Sequence, residues 1–155
     1  IKKVSRDASN LDMAVDTASF CGAFEEAISF YERVIAQAPH YSGANTKRAY
    51  AWSLVQKASS KSPNNFSAAK DFIKSQLAMK YESKRMHESF LVLLAYVEDK
   101  DGDKNSASEY MDEQNSLKNA ITKKDIINNN IGAPNIPGFR QEFIQTLVAL
   151  GLHQN

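Results

Sequence analysis

The sequence predicts an all-α chain, and three observations predict it. Apolar residues recur at helical spacing in segment after segment, most clearly at Phe24, Ala27, Ile28, Tyr31, Val34 and Ile35. Polar turn formers separate those segments. A degraded self-similarity along the chain points to repeated helix pairs. With 155 residues the chain sits in the single-domain range and can bury roughly two-thirds of the surface its unfolded form exposes.

Taken in order, Asn10 caps a first helix through about Phe20, with Leu11, Ala14, Val15 and Ala18 as its inner face. Gly22 supplies a turn. The second helix follows and stops at Pro39, because proline offers no amide hydrogen and restricts the residue before it. A third helix carries Ala49 and Trp52 and leads into the polar stretch 57–65, an enlarged loop. A fourth runs from about Ser67 to Tyr81 with Ala69, Phe72, Ile73, Gln76 and Leu77. Met86 to Glu98 is the most apolar helix and is expected at the centre of the core. One or two helices continue from Ser106 to about Asn128, and loop chemistry through Gly138 interrupts them. A last helix, Phe139 to Leu150, shows Phe139, Phe143, Ile144, Leu147 and Val148 on one face, and Gly151 stops it.

Gly22, Phe24, Ala27, Tyr31 and Pro39 together resemble the second helix of a tetratricopeptide repeat, with its Gly-x-aromatic-x-x-Ala pattern and closing Pro. Ala49 lies 22 residues beyond Ala27, the family's own interval, and Trp52 fills its large aromatic position. Leu94, Ala95, Gly102 and Ala107 match in a second register, with the family's 12 residues from Ala95 to Ala107. The resemblance covers about residues 8–116. Asn45, Arg48, Met111 and Gln114 depart from it, and the interval from Ala49 to Ala69 is 20 residues instead of 12. It implies a TPR-like α-solenoid: a right-handed stack of antiparallel hairpins, about six or seven helices in repeat units near 8–41, 42–82 and 86–116. The segment 117–155 then holds a loop and a capping helix over the last pair.

Lys+Arg 19 against Asp+Glu 18 leaves a net charge of +1, too little to draw nucleic acid or an anionic membrane from a distance. No apolar run approaches the roughly 20 residues of a membrane span. The single cysteine, Cys21, rules out an intrachain disulfide and a thiolate metal cluster, and leans the compartment toward the cytoplasm. The chain begins with Ile-Lys-Lys-Val-Ser-Arg and no Met, which suggests a processed or trimmed N-terminus.

Candidate chemistry is sparse. The acidic stretch 99–105 invites a calcium-loop reading, but the required Gly and Glu are absent from both registers: Lys104 and Tyr110 stand there counting from Asp99, Ser106 and Asp112 counting from Asp101. A solvated turn explains it. Cys21, His40 and His87 carry no nucleophile signature, and Cys21 is expected as a small buried thiol beside aromatic residues. His153 falls in a tail. Glu25 and Glu26 diverge on their helix, and Lys47-Arg48 and Lys84-Arg85 lack interleaved aromatics. Asn65-Phe66-Ser67 is a glycosylation sequon, meaningful only in a secreted chain.

The expected function is therefore non-catalytic, without cofactor or metal. Another protein or peptide would bind the groove formed by successive first helices, at Asp12 and Asp16 (with Ser19), then Thr46, Tyr50 and Ser53, then Val92 and Tyr96 (with Asp99). In chaperone-binding members of the family, Lys and Asn at the first repeat's positions hold a terminal carboxylate. Aspartates here favour a ligand with basic or apolar side chains instead. The alternative is a structural subunit of a larger complex that uses its convex face or C-terminal helix, which could also dock on a second copy of the chain.

Overall fold

A computed structural model describes residues 2–40, 42–81, 85–129 and 131–155. Among them the chain is all-helical: α1 (Lys2–Phe20), α2 (Phe24–Gln37), α3 (Ala44–Ser59), α4 (Ser67–Leu77), α5 (Met86–Lys100), α6 (Lys104–Ser116), α7 (Lys123–Ile127) and α8 (Pro137–Ala149). That is one short helix more than the six or seven expected. Lys84 of the Lys84-Arg85 pair lies outside the described residues, as does Ile1.

Two turns set the hairpin geometry. Phe20 ends α1, and Gly22 then adopts φ +80°, a left-handed conformation that costs glycine no side-chain clash. The Ala23 amide donates to Ala18 O at 2.8 Å and the Gly22 amide to Ser19 O at 3.1 Å, the paired bonds of a Schellman stop. The same device recurs where α5 turns into α6. Gly102 has φ +91°, the Asp103 amide reaches Glu98 O at 2.9 Å, and the Gly102 amide reaches Asp99 O at 3.2 Å. Asp103 then caps α6 by accepting the Ser106 amide at 3.0 Å. The acidic stretch 99–105 is thus a helix turn. Between α3 and α4 no such glycine exists, and the chain takes a longer loop through Asn65.

Helices α1, α3 and α5 touch one another in sequence, and each packs against the helix that follows it. Tyr31, Tyr50 and Phe72 tie α2, α3 and α4 together: Tyr31 and Tyr50 stack at 4.0 Å and Phe72 meets Tyr50 edge-on at 4.8 Å. Helix α5 is buried almost all round, from Phe90 through Val97. Its buried carboxylate, Glu98, is balanced by Lys70 at 2.7 Å and Lys74 at 3.5 Å from α4.

The segment that follows α7 reaches α5 of the last pair, and on its way it also meets α1 and α3. The Asn135 amide donates to Phe20 O at 2.8 Å, and the Trp52 indole N–H donates to Ile131 O at 3.3 Å. Helix α8 then lies on α5, with Phe143 4.9 Å from both Trp52 and Tyr96 and Phe139 5.9 Å from each. Phe143 and Leu147 are fully buried there. The covering is aromatic because Trp52 and Tyr96 offer large faces that only another bulky apolar surface can shield.

Other expectations change in detail. Helix α1 starts at Lys2 instead of at an Asn10 cap, since residues 2–9 contain neither Gly nor Pro to interrupt it. Helix α4 stops at Leu77, short of Tyr81, whose hydroxyl turns back to donate to Gln76 Oε1. Cys21 is exposed, because it sits in the reversing turn after α1 and not on its inner face. His153 is no free tail: its carbonyl accepts the Lys123 amide at 2.8 Å, next to the buried Leu152.

Because the Phe143 ring is fully enclosed against the chain's only tryptophan, Phe143→Ala should lower the unfolding free energy by about 3–5 kcal/mol and shift Trp52 emission to the red. Urea titration followed by fluorescence checks both. A loss under about 1 kcal/mol would place the ring outside the core.

Candidate functional site

The seven residues expected to line one groove are divided by the structure into three places. Thr46, Ser53, Val92 and Tyr96 are buried. Val92 and Tyr96 belong to α5, which α8 covers, and the Tyr96 hydroxyl donates to Glu142 Oε2 of α8 at 2.8 Å. Burial, then the Glu142 carboxylate, push the Tyr96 phenol up, so it remains a protonated donor. Ser53 Oγ donates to Ala49 O at 2.9 Å, and Ser19 Oγ donates to the same carbonyl at 3.1 Å. The Ser19 hydroxyl thus joins α1 to α3, and that of Ser53 bonds back within α3. Asp99 accepts Lys104 Nζ at 2.6 Å.

Tyr50 faces elsewhere. It lines a hollow with Ile28, Glu32, Leu54 and Lys57, bounded by α2 and α4. It does not share a surface with the aspartates.

What remains open on the α1–α3 side is a cleft of about 400 Å³ lined by Asp12, Met13, Asp16, Gly43, Asn45 and Thr46. A second hollow of about 270 Å³ shares Asp16 and Asn45 with it and continues to Phe20, Arg48 and Gly132. Asp12 and Asp16 are one helical turn apart and so project from the same face of α1. Asp12 Oδ2 accepts the Gly43 amide at 3.4 Å. The Oδ1 atoms of both aspartates are shut off from solvent and have no hydrogen-bond donor among the described residues. Burial raises both carboxyls above the usual carboxylate range, with Gly43 and Thr46 opposing it at Asp12, and Thr46 and Arg48 opposing it at Asp16. The enclosed Oδ1 atoms are a cost to the fold, partly offset by the groups that act on the other side of each carboxyl.

Arg48 was visible in the sequence only as a departure from an apolar position. Its guanidinium is half-buried, donates from Nη1 to Ser89 Oγ at 3.3 Å, and lies beneath Gly132, where an added Cβ would stand 3.1 Å from Nε and Nη2. Burial lowers its pKa and Asp16 opposes that shift. Asn45, like Arg48, was visible only as a departure from the resemblance, and Met13 and Gly132 carried no sequence signal.

The remaining candidates stay scattered. Cys21 and His40 are exposed, and His87, in the first turn of α5, stands 3.9 Å from Glu113. Among the described residues no hydrogen bond joins Cys21 to a histidine, and no group of three His, Cys, Asp or Glu side chains could hold a metal ion. No helix among them is long and apolar enough to cross a membrane. Arg85 is engaged by Asp125 at 2.8 Å. Asn65 is exposed and its Oδ1 accepts the Ser67 amide at 3.1 Å. Compared with models of protein families, with curated proteins and with solved structures, the chain matches none.

Since the folded carboxyl of Asp12 holds its proton more tightly than the unfolded one, protonation favours the fold, and the charged form carries a penalty that is fully present above the folded pKa. Asp12→Asn should therefore raise Tm at pH 7, and the gain should vanish as pH falls through the ordinary carboxylate range near about 4. A lower Tm at pH 7 would show that the charge stabilises the free protein. Thermal melts across pH 3–7 decide it.

Proposed function

We propose that this chain is a non-catalytic protein-interaction module of TPR-like architecture, a right-handed stack of helix hairpins that binds a segment of another protein on its first-helix side. Three features support the architecture: the recurrence of the Gly22 turn at Gly102, the continuous row α1–α3–α5, and small alanines such as Ala27, Ala49, Ala95 and Ala107 buried between helices. The single observation that carries the function is that the chain's own C-terminal segment covers the α3–α5 part of this side and leaves the α1–α3 part open. That open part is the one lined by Asp12, Asp16 and Asn45. A polar hollow left uncovered by a segment that covers its neighbour is the place on this side where another chain can dock.

The alternative is an assembly subunit that uses its convex face or its C-terminal helix. Phe143 and Leu147 of α8 are committed to the chain's own core, while the other side of the helix, with Pro137 and Ile144, lines an open hollow of about 500 Å³.

A photo-cross-linking side chain placed at Asn45, which borders both hollows, separates these readings from a control at Glu109 on the exposed side of α6. The expected outcome is a discrete polypeptide captured from Asn45 and not from Glu109, whose cross-linked segment, made synthetically, binds the purified chain. Equal capture from both positions, or capture from Glu109 alone, would overturn groove binding.

A further inference from the structure

The hollow of about 500 Å³ between α7 and α8 is larger than either hollow on the α1–α3 side and shares no residue with them. Lys123, at the start of α7, forms one wall. Helix α8 forms the other. Pro137, Gln141 and Gln145 follow one another at four-residue spacing and so lie on one stripe, with Arg140 and Ile144 beside them. That stripe is about 12 Å long at about 1.5 Å per residue. Lys123, Arg140 and Ile144 are half-buried, and the two glutamines stand exposed at the rim.

No aspartate or glutamate lines this hollow. Asp125, two residues beyond Lys123, is turned elsewhere: its carboxylate accepts the Thr122 amide at 3.0 Å and pairs with Arg85 at 2.8 Å. The half-buried arginines Arg48 and Arg85 each face a carboxylate, Asp16 and Asp125 respectively. Arg140 faces neutral acceptors only. Its Nη2 donates to Ala133 O at 2.9 Å and to Asn129 Oδ1 and Pro134 O at 3.3 Å. Those bonds fix the guanidinium and leave its charge without a counter-charge. Nε is enclosed, whereas Nη1 is neither enclosed nor bonded among the described residues.

We propose that this hollow binds a small organic carboxylate with an apolar body, at a site separate from the α1–α3 cleft. The carboxylate lies between Lys123 and Arg140, and the apolar body lies along Pro137 and Ile144. A concave space of a few hundred Å³ with an apolar wall and a few converging charged groups is the common form of a small-ligand site. Charge selects an anion, because two cations partly withdrawn from water share the hollow with no carboxylate of the chain itself. The count of open donors then selects among anions. With Nη2 committed and Nε enclosed, Arg140 offers Nη1 alone and lacks the two-pronged grip that phosphate recognition exploits. One N–H from Arg140 and the Lys123 ammonium suffice for the two oxygens of a carboxylate. Three phosphate oxygens would be left short of donors. Holding Arg140 in place beforehand also lowers the ordering cost of binding.

The probe is hexanoate, compared at matched ionic strength with hexanamide, which keeps the alkyl chain and lacks the charge, and with inorganic phosphate. Each is titrated into the full chain labelled with 15N and followed by amide chemical shifts. Hexanoate is expected to shift the amides of Lys123, Arg140, Gln141 and Ile144 saturably, and to bind at least about fivefold more tightly than hexanamide or phosphate. Lys123→Gln removes a side chain with no hydrogen bond or ion pair among the described residues and keeps the amide that donates to His153 O. It should weaken hexanoate at least about threefold. Lys124→Gln, at an exposed neighbour that does not line the hollow, should leave binding unchanged. Equal binding of hexanoate and hexanamide, tighter binding of phosphate, or an equal loss in the two lysine variants overturns the proposal. So does the lack of saturable shifts at these amides up to about 20 mM hexanoate. Shifts there from the peptide acetyl-Leu-Glu-Leu-amide but not from hexanoate would assign the hollow to a partner protein and overturn it as well.

Discussion

The arrangement of the whole molecule depends on one aromatic contact, the wedging of Phe139 and Phe143 against Trp52 and Tyr96. Trp52 and Tyr96 would stand half-covered on α3 and α5 alone, and half-covered rings in water are unfavourable at roughly 25 cal/mol per Å² of apolar surface. Here the chain supplies the cover itself. The segment from Ile131 to Leu152 closes over α3 and α5, and its polar bonds to Trp52, Phe20 and Tyr96 fix its register without leaving backbone groups stranded. Both the location of the open cleft and the depth of the core follow from that single placement.

Much of this was legible in the sequence. Helices α2, α3 and α5 have long apolar periodicities and clear stops, so Gly22, Pro39 and Gly102 fall where a turn or an end is physically required. The enlarged loop before α4 was legible too, since polar turn formers fill it. The course of the C-terminal segment was not. The apolar face of α8 shows that the helix must be buried, and the expected cover over the last pair meets α5, but periodicity is blind to the added contact with Trp52 of α3. Cys21 misled for a related reason. Its apolar neighbours suggested burial, while the left-handed residue after it turns the chain outward at that point.

For the candidate site the split is similar. Asp12, Asp16 and Thr46 do come together, as the hairpin register required. Val92 and Tyr96 lie on α5, where long-range packing covers them, and no local signal distinguishes that helix from the more open α1. Arg48 shows what such a signal would look like: a charged residue half-buried within a packed helix marks a place where the chain tolerates a desolvation penalty. At Asp12 and Asp16 carboxyls lose part of their solvent next to apolar side chains left in water, Met13 and Phe20, which sets this part of α1 apart from the covered helices.

The self-closure of the first-helix side is measured most directly by nuclear Overhauser contacts from the Trp52 indole protons in the labelled, full chain. Cross-peaks from Trp52 to the ring protons of both Phe139 and Phe143 are predicted, given centroid separations of 5.9 and 4.9 Å. A Trp52 indole with no contact to either ring, and with an N–H that exchanges freely with water, would contradict the closed arrangement and with it the assignment of the open cleft to α1 and α3.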